Sequence, residues 1–570
     1  MKEISPARTV TRKLFTVVLI SFFLMMGFPP VSPATEEVDE LKKQLQTLNE
    51  MMKTLQEKLD KVEKQNAGKE TEIKEIDTRL NKAELHTASD KLSFGVDMRS
   101  EAQSIHYEDT RMAPASVINA FFAPFPQGFN GATQQQIQQA MAGMKAAGMV
   151  PSPNIYNADN NLIYTSRLRM NMKATVNPHL DFAGRLAAYK VWGDSTGVQF
   201  NHGSLGEVTF DGNTSSLPHG DTIHVERAYF NFKQDVGTVP INFSLGRRPS
   251  TEGPPLELGN YSLEGGSPLG TIINWQFDGA SLTFGMEDVT GISGQSFKLC
   301  YGVGFEGDWG NSYSMTSSSD VSDVHMFGFI ADLFDNDTTR ATLNYAHAWN
   351  VTDGFTGLTV MPFVVSVDSN NQYNFIPNSG GYISRMEPYT NIGDWDAASL
   401  LLRTNLSEQI ANIDLFFAPS WSHTSPSQIS RNPYYQLMGQ GLLSSNGDLQ
   451  PRDGYGIFTG ALFPMPLNAR LGLEYNWGSK YWFNFTGAED SLVGSKLAAR
   501  GQVYEGYYIQ PIYKDNFFLK LGGQYYDYDY TGSGNPLGEP VSITDATAFD
   551  SLNAILDKVW VAYLSATIRF

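Results

Sequence analysis

The chain has 570 residues, of which 41 % are hydrophobic and 18 % are charged, and its formal net charge is −19 at pH 7. This composition, with a mean hydropathy of −0.27, excludes a protein built of transmembrane helices, and its acidity argues against a nucleic-acid partner. The single cysteine, Cys300, excludes an intramolecular disulfide. Since the chain contains no Cys-x-x-Cys-His sequence, we expect no c-type haem attached to it, and we predict no other cofactor and no metal.

The first 34 residues have the layout of a secretory signal peptide. An apolar run spans residues 14–28, and Ser32 and Ala34 lie where a cleavage site requires small side chains. Four basic side chains precede the run, namely Lys2, Arg8, Arg12 and Lys13. The alternative is a membrane anchor, but a run of 15 residues is shorter than the roughly 20 that a spanning helix needs. We therefore predict that residues 1–34 are a signal peptide.

Residues 35–86 carry a heptad pattern of apolar side chains. These side chains recur at alternating spacings of three and four residues: Val38, Leu41, Leu45, Leu48, Met52, Leu55, Leu59 and Val62. The spacing places them along one seam of a helix, and partner helices have to cover such a seam. We predict a coiled coil over residues 35–86, in the periplasm, and hence a homo-oligomer with a trimer favoured. The alternative is a single solvated helix that packs on the domain that follows.

From residue 91 onward, short and long connections alternate between predicted β-strands. The short ones lie at residues 177–179, 235–240, 287–295, 335–337, 406–409, 464–467 and 511–516. Seven short turns and eight long loops give 16 strands with both ends on one side. Outer-membrane barrels alternate periplasmic turns and extracellular loops in this way. Residues 91–570 are therefore predicted to form an all-β, transmembrane, antiparallel β-barrel of about 16 strands.

The last strand has one apolar face. Its members are Trp560, Ala562, Leu564, Ala566, Ile568 and Phe570, as the two-residue period of a strand requires. Such a strand would be an exposed edge in a soluble protein, but it can pair with the first strand of a closed barrel. The aromatic end resembles the signal that the barrel assembly machinery recognises, so Phe570 is the predicted assembly signal. We expect the barrel to lie in the outer membrane, in contact with its lipid.

A barrel of 16 strands leaves an aqueous channel, and alternate side chains of each strand face it. The predicted pore-lining residues are Arg167, Arg169, Lys173, Arg185, Arg227, Arg340, Arg403, Arg470 and Glu474. Over all strands, 13 basic and seven acidic groups face the lumen in this phase, which predicts a preference for anions. The alternative is an internally paired lining with little selectivity. Glu226, Glu505 and Lys190 fall on the lipid face in this phase, which indicates β-bulges or errors of register.

Two of the long connections are candidates for more than a link. The connection at residues 249–270 is rich in Pro and Gly. Arg247 and Arg248 immediately precede it, and Glu252 and Glu257 lie within it. The layout resembles that of 16-stranded porins, which implies that this loop folds inward as a constriction with these four residues on it. The alternative is a rigid surface loop. The connection at residues 108–160 contains a predicted short helix at 134–148, and a lid, a plug and a surface decoration all remain open for it.

Four strings of the sequence together resemble one bacterial family. They are residues 225–232 (VERAYFNF), 245–255 (LGRRPSTEGPP), 275–279 (WQFDG) and 474–482 (EYNWGSKYW). The resemblance is to the outer-membrane barrels grouped as domain of unknown function 3373, found in anaerobic metal- and sulfur-cycling bacteria. It covers most of the chain after residue 85 and implies a porin-like barrel, but it supplies no catalytic or binding residue.

Together these features predict an outer-membrane, porin-like channel for the passive diffusion of small hydrophilic solutes. The nine histidines are scattered and do not have the spacing of metal ligands, and the sequence contains no nucleophile elbow. We therefore expect that the protein is not an enzyme. Two alternatives remain open. In one, the coiled coil tethers the outer membrane to the cell wall, with peptidoglycan as partner. In the other, the barrel is a sheath around a partner cytochrome in an electron-transfer conduit.

Overall fold

The chain divides into two compact units, Met1–Ala88 and Ser89–Phe570. The computed structural model describes residues 43, 46–58, 61, 92–193, 223–262, 265–305, 307, 321–354, 357–360, 362–378, 383–386, 388–437, 443, 448–487, 491–534 and 538–570.

Sixteen strands of the second unit form a closed barrel. They are β1 (Leu92–Met112), β2 (Asn154–Asn177), β3 (Leu180–Val191), β4 (Ile223–Val236), β5 (Val239–Arg247), β6 (Asp278–Gly285), β7 (Ser296–Phe305), β8 (Val324–Asp335), β9 (Thr339–Thr352), β14 (Asn391–Asn405), β15 (Asp414–Pro426), β16 (Arg452–Pro464), β17 (Arg470–Gly478), β18 (Gly501–Tyr513), β19 (Phe517–Tyr528) and β20 (Lys558–Arg569). Strands adjacent in this order pair antiparallel, and β20 closes on β1 from Asp97↔Arg569 to Glu108↔Lys558. The predicted all-β barrel and its strand number are confirmed.

The connections are sorted by length, as the sequence predicts. On the side where β1 begins and β20 ends, they run from two residues, 178–179, to ten, 286–295. On the other side they run from 18 residues, 306–323, to 41, 113–153. We number the eight long connections as loops one to eight. This parity is the arrangement of outer-membrane barrels, whose longer loops face outward from the cell.

Some of the connections contain short elements of their own. Loop five holds β10 (Gly357–Val360), which pairs with β13 (Ile383–Met386), and β11 (Phe363–Val367), which pairs with β12 (Tyr373–Pro377). The α-helices are Ala115–Phe122, Gln134–Ala146, Leu256–Gly259, Glu287–Thr290 and Pro433–Leu437, and the 3₁₀ helices are Pro466–Asn468, Lys496–Ala498 and Ile543–Asp545. Among the described residues, no helix is both long enough and apolar enough to cross a membrane.

The two faces of the wall differ in exposure. In β20, Leu564 is 49 % exposed on the outside, whereas its neighbour Ser565 is buried at 2 %. Tyr504, Tyr525 and Trp560 are exposed aromatic residues and are cross-strand neighbours on β18, β19 and β20. Aromatic girdles of this kind lie at a membrane–water boundary. The outer face is therefore that of a membrane-spanning wall.

The sequence predicts the wrong face of the wall for two glutamates. Glu226 and Glu505 are 1 % and 7 % exposed and face the lumen. A register shift opposite Arg185 leaves Glu226 as the extra residue of a bulge in β4, and a second shift, between Pro511 and Tyr513, separates Glu505 from its turn. A bulge adds one residue and so reverses the alternation beyond it. For Lys190 the prediction stands, because its neighbours Tyr189 and Val191 are the buried members of β3.

An apolar cluster joins loops one, five and eight beyond the ends of the barrel strands. We call it the outer cap, and its buried members are Ala113, Val117, Phe121, Phe129, Ala132, Ile137, Phe363, Val365, Tyr373, Phe375, Ala548 and Leu552. Phe121 is fully buried, with its ring centroid 5.0 Å from that of Phe363 and 5.2 Å from that of Phe375. The helix Gln134–Ala146 begins with a capping box between Thr133 and Gln136. Loop one is thus an ordered part of this cap.

In the first unit, residues 46–58 are helical and exposed. Three residues of the predicted seam, Leu48, Met52 and Leu55, are 60 %, 56 % and 65 % exposed. The other seam residues, Val38, Leu41, Leu45, Leu59 and Val62, lie outside the described residues, as does the predicted signal peptide.

We expect Phe121→Ala to loosen the outer cap and leave the barrel closed. Removing a fully buried phenylalanine costs about 3–5 kcal/mol of local stability. Limited proteolysis should then cut within loops one and five faster than in the unmodified protein, while the folded barrel keeps its mobility in unheated gel samples. The exposed Met149→Ala, at 66 % exposure, is the control and should not change the cleavage rate. Equal cleavage of all three proteins would contradict a cap held by this cluster.

Candidate functional site

Loop three, residues 248–277, folds into the lumen. Glu257 Oε1 lies 3.1 Å from Arg403 Nη1 on β14, and the carbonyl oxygen of Gly259 accepts a 2.7 Å hydrogen bond from Lys520 Nζ on β19. Further along, the amide of Leu269 donates to Asn344 Oδ1 on β9 at 3.1 Å. Because these partners lie on strands from different parts of the wall, the loop crosses the interior. The structure therefore has the inward fold that the sequence predicts for this connection.

Loop seven, residues 479–500, also lies inside the barrel. Its Phe485 forms a parallel bridge with Ile273 of loop three, and the amide of Asn274 donates to the carbonyl oxygen of Phe485 at 2.7 Å. At its far end Lys496 Nζ lies 2.5 Å from Glu474 Oε2 and 2.6 Å from Glu505 Oε2. The two loops are therefore joined to each other and to the wall, and together they fill the central part of the lumen.

Part of the interior is apolar and closely packed. The inward side chains of β8, β9 and β14 form a buried cluster with both loops: Val324, Met326, Ala346, Ala348, Val351, Ile392, Trp395 and Ala397 against Ile272, Ile273, Trp275, Trp482, Phe483 and Phe485. Trp395 is the centre of this cluster, with its ring centroid 4.6 Å from that of Phe485 and its Nε1 donating to the carbonyl oxygen of Phe483. A solute path has to run elsewhere in the lumen.

A cavity of about 760 Å³ opens on the side of the short turns; we call it the turn-side cavity. Seven basic side chains line it: Arg167, Arg169, Lys173, Arg185, Arg227, Lys233 and Arg569. Four acidic side chains line it as well: Asp97, Asp181, Glu252 and Asp515. Its wall therefore carries a formal side-chain excess of three positive charges, seven minus four.

A smaller cavity of about 130 Å³ lies deeper in the barrel, between β1–β2 and β17–β20; we call it the inner cavity. The charged side chains that line it are Arg99, Glu101, Arg167, Glu252, Glu474, Lys496, Glu505, Lys520 and Arg569. Arg167, Glu252, Asn260 and Arg569 line both cavities. These four residues lie between the two spaces, and we call them the constriction.

Glu252 is the centre of the constriction. Its Oε1 lies 2.7 Å from Arg169 Nη1 and 3.7 Å from Arg167 Nη1, and its Oε2 lies 3.5 Å from Arg185 Nη1. All four side chains are buried. A buried carboxylate needs such partners, because its desolvation is otherwise too costly. We call Arg167, Arg169 and Arg185 the arginine cradle.

The structure brings some of the predicted pore-lining residues together and leaves others apart. Arg167, Arg169, Lys173, Arg185 and Arg227 line the turn-side cavity, and Glu474 lines the inner cavity. The other three line neither of these two cavities and form ion pairs at the wall: Arg340 with Asp332, Arg403 with Glu257 and Asp414, and Arg470 with Asp414.

The predicted constriction-loop residues also separate. Glu252 is at the constriction, and Glu257 is bound to Arg403. Arg247 pairs with Asp278 at 2.7 Å at the end of β5, and Arg248 donates to Ser244 Oγ at 3.1 Å. These two arginines therefore hold the base of loop three and not its tip. Phe570 exchanges two backbone hydrogen bonds with Val96 on β1 and lines the turn-side cavity.

Sequence reasoning missed the buried charge cluster of loop seven. Tyr507 and Tyr563 donate hydrogen bonds to Glu474 and Glu505 at 2.9 Å and 2.6 Å, and Lys496 lies between the two carboxylates. One signal was available, because the run at residues 481–485 (YWFNF) is unusually apolar for an exposed loop.

Gly253→Ala should widen the constriction. A Cβ at this position would lie 1.7 Å from the carbonyl oxygen of Pro268, so the two halves of loop three have to separate next to Glu252. We expect a larger single-channel conductance in planar bilayers from a barrel that is still folded.

The matched control is Gly143→Ala in the helix Gln134–Ala146 of loop one, where a new Cβ meets nothing within 4 Å. It should leave the conductance unchanged. If Gly253→Ala also conducts like the unmodified protein, loop three does not limit the path.

Comparison with known proteins gives a family and distant structural relatives. OprB of Pseudomonas putida is 10 % identical with a TM-score of 0.40, over 85 % of this chain and 96 % of that chain. OmpF of Salmonella typhi is 11 % identical with a TM-score of 0.37, over 83 % of this chain and 97 % of that one. A mutant of the Rh. blastica porin is 12 % identical with a TM-score of 0.33, over 84 % and 100 %.

No curated protein matches the sequence. The profile of the family described as protein of unknown function (DUF3373) matches residues 157–570. Because this match spans more than half of the sequence, the chain belongs to the DUF3373 family.

Proposed function

We propose that this protein is an outer-membrane channel for small hydrophilic solutes and that it prefers anions. The observation that carries the proposal is the turn-side cavity, whose wall has seven basic and four acidic side chains. In a confined path with low-dielectric walls, an excess of fixed positive charge raises the local concentration of anions. The porin-like barrel supplies the outer-membrane location and the channel in general, and the cavity supports the sign of the selectivity.

The numbers of basic and acidic groups in the lumen are closer to equal than the sequence predicts. Glu226 and Glu505 face inward, and Glu252 and Glu257 enter the lumen on loop three. Most lumen charges are therefore paired, which supports a modest preference and not strict selectivity. The inner cavity has a volume of about 130 Å³, which favours small solutes.

Reversal potentials test the preference. In a KCl gradient, the unmodified channel should give an anion-selective potential. Lys173→Glu replaces one positive charge of the turn-side cavity by a negative one. At a distance of about 8 Å in water this costs a passing anion about 1 kcal/mol and favours a passing cation by about the same amount, so the anion-to-cation permeability ratio should fall about 30-fold at low salt.

Lys145→Glu is the control for this measurement, because Lys145 lies on the helix Gln134–Ala146 of loop one and lines neither cavity. It should keep the original potential. A cation-selective or unselective unmodified channel overturns the anion preference.

A second role, as an oligomeric tether, is supported by the exposed seam of the N-terminal helix. Leu48, Met52 and Leu55 lie on one seam and are more than half exposed. Apolar residues in a heptad pattern are covered when helices of several copies associate. In this proposal the coiled coil over residues 35–86 makes the protein a trimer and reaches toward peptidoglycan from the outer membrane.

Two adjacent methionines allow a matched test of the seam. Met52 is in the seam and Met51 is not, although they are 56 % and 55 % exposed. Met52→Asn should weaken the oligomer in light scattering of the detergent-solubilised protein, whereas Met51→Asn should not. An equal effect of the two changes would contradict the coiled coil.

Deletion of residues 36–85 separates the two roles. If the channel is the main function, the deletion should preserve conductance. If the tether is the main function, the deletion should impair envelope integrity.

A further inference from the structure

We propose that the arginine cradle is a binding site for the carboxylate of a small solute, and that Glu252 occupies this site as a tethered substitute. The inference deepens the proposed channel function and rests on it, since it names the class of anion that the channel selects. It starts from the chemistry of the constriction: the group at its centre is itself a carboxylate bound by three guanidinium groups.

The contacts of Glu252 are those of a bound ligand. Both carboxylate oxygens have arginine partners, Oε1 with Arg169 and Arg167 and Oε2 with Arg185. Guanidinium groups match the planar geometry of a carboxylate and bind it more strongly than neutral donors do. The residue comes from a loop, and its backbone has a positive φ of 60°, which is unfavourable for glutamate.

Each arginine of the cradle also has partners that do not depend on Glu252. Arg167 Nη2 lies 2.9 Å from Asp97 Oδ1, which also binds Arg569 through Oδ2. Arg169 Nε lies 3.0 Å from Glu226 Oε2, and its Nη2 donates to Tyr189 Oη at 3.2 Å.

The third arginine is held in the same way. Arg185 Nε donates to Asn171 Oδ1 at 2.6 Å, and its Nη1 lies 3.4 Å from Glu226 Oε1. The wall strands therefore keep the three guanidinium groups in position when the loop residue leaves. A site that is organised in advance binds its ligand without the cost of ordering it.

The charge balance calls for an anion once Glu252 leaves. The cradle, the neighbouring Arg227 and Arg569, which shares Asp97, carry five positive charges, and the wall carboxylates Asp97 and Glu226 supply two negative ones. Arg227 is 6 % exposed and lines the turn-side cavity, and its Nε has no hydrogen-bond partner among the described residues. Three positive charges are then uncompensated, five minus two, which fits a monocarboxylate or a dicarboxylate.

The space for the rest of the solute is present. The cradle opens on the turn-side cavity of about 760 Å³, which is within the range of small-molecule sites. Asn171, Lys173 and Asn231 line the same cavity and offer polar groups to a second functional group. A solute carboxylate that displaces Glu252 would occupy the cradle and leave the loop carboxylate free to move, so that binding and passage are linked.

Direct binding to the full-length protein in detergent tests the proposal, with succinate and acetate as probes in isothermal titration calorimetry. In the unmodified protein, Glu252 competes as a tethered ligand at an effective concentration of millimolar order. We therefore expect Glu252→Gln, which keeps the shape, and Glu252→Ala, which empties the site, to lower the Kd of succinate at least about tenfold. Adding Arg185→Gln to Glu252→Gln should abolish this gain.

Glu408→Gln is the matched control, since Glu408 is an exposed residue of the short turn between β14 and β15 and lines neither cavity. It should leave the Kd unchanged. Calorimetry reports binding, and the gel mobility of unheated samples reports whether the barrel is folded. Together they distinguish a lost site from a misfolded barrel. Equal affinity of Glu252→Gln, Glu252→Ala and the unmodified protein for succinate overturns the proposal.

Sulfate and phosphate are run alongside, because tetrahedral oxyanions also bind guanidinium groups. Binding of sulfate or phosphate without binding of succinate overturns the assignment to carboxylates. The channel function fails separately, when the protein inserted in a bilayer gives no conductance or no anion-selective reversal potential. An anion-selective channel whose variants all bind succinate alike leaves the proposed function standing and removes only the carboxylate site.

Discussion

The rest of the structure depends on the closure of the wall. Lipid offers no hydrogen-bond partner to the backbone, so the N–H and C=O groups of a spanning strand have to be satisfied by neighbouring strands. Pairing of β20 with β1, from Asp97 to Glu108 on the β1 side, meets this demand and leaves no edge. A wall of 16 strands is too wide for its own side chains to fill. Closure thus creates an interior that other parts of the chain can enter.

Among the described residues, loops three and seven enter this interior, and they match the wall by opposite charges. Loop three brings Glu252 to the arginines of β2 and β3, and loop seven brings Lys496 to Glu474 and Glu505 on β17 and β18. Buried charges without partners are strongly destabilising, so each loop can settle only where the wall has the complementary sign. The apolar parts of the same loops pack on Trp395 and its neighbours. The open space is consequently displaced toward β1–β4 and β17–β20.

The sequence predicts the wall well because a strand imposes a period of two. The short turns fall where the sequence places them, and the inward phase of Arg167, Arg169 and Arg185 follows from regular stretches of β2 and β3. Glu226 escapes this reasoning because one extra residue in β4 reverses the alternation. Lys496 escapes it for another reason. A loop has no period, so the wall carboxylates that it meets depend on how the whole segment folds back into the lumen.

The same distinction explains why the constriction centres on Glu252, a loop residue, although its arginine partners belong to the wall. A side chain on a paired strand can change its rotamer but not its backbone position, since the ladder on both sides fixes it. Glu252 belongs to a segment whose anchors are separate contacts, among them Asn274 Oδ1 with the Glu252 amide and Lys520 with Gly259. In the proposed channel, the ion pairs that hold loop three therefore also set the width of the path. A group that competes for those guanidiniums acts on the stability of the loop and on permeation at once, because both depend on the same three side chains.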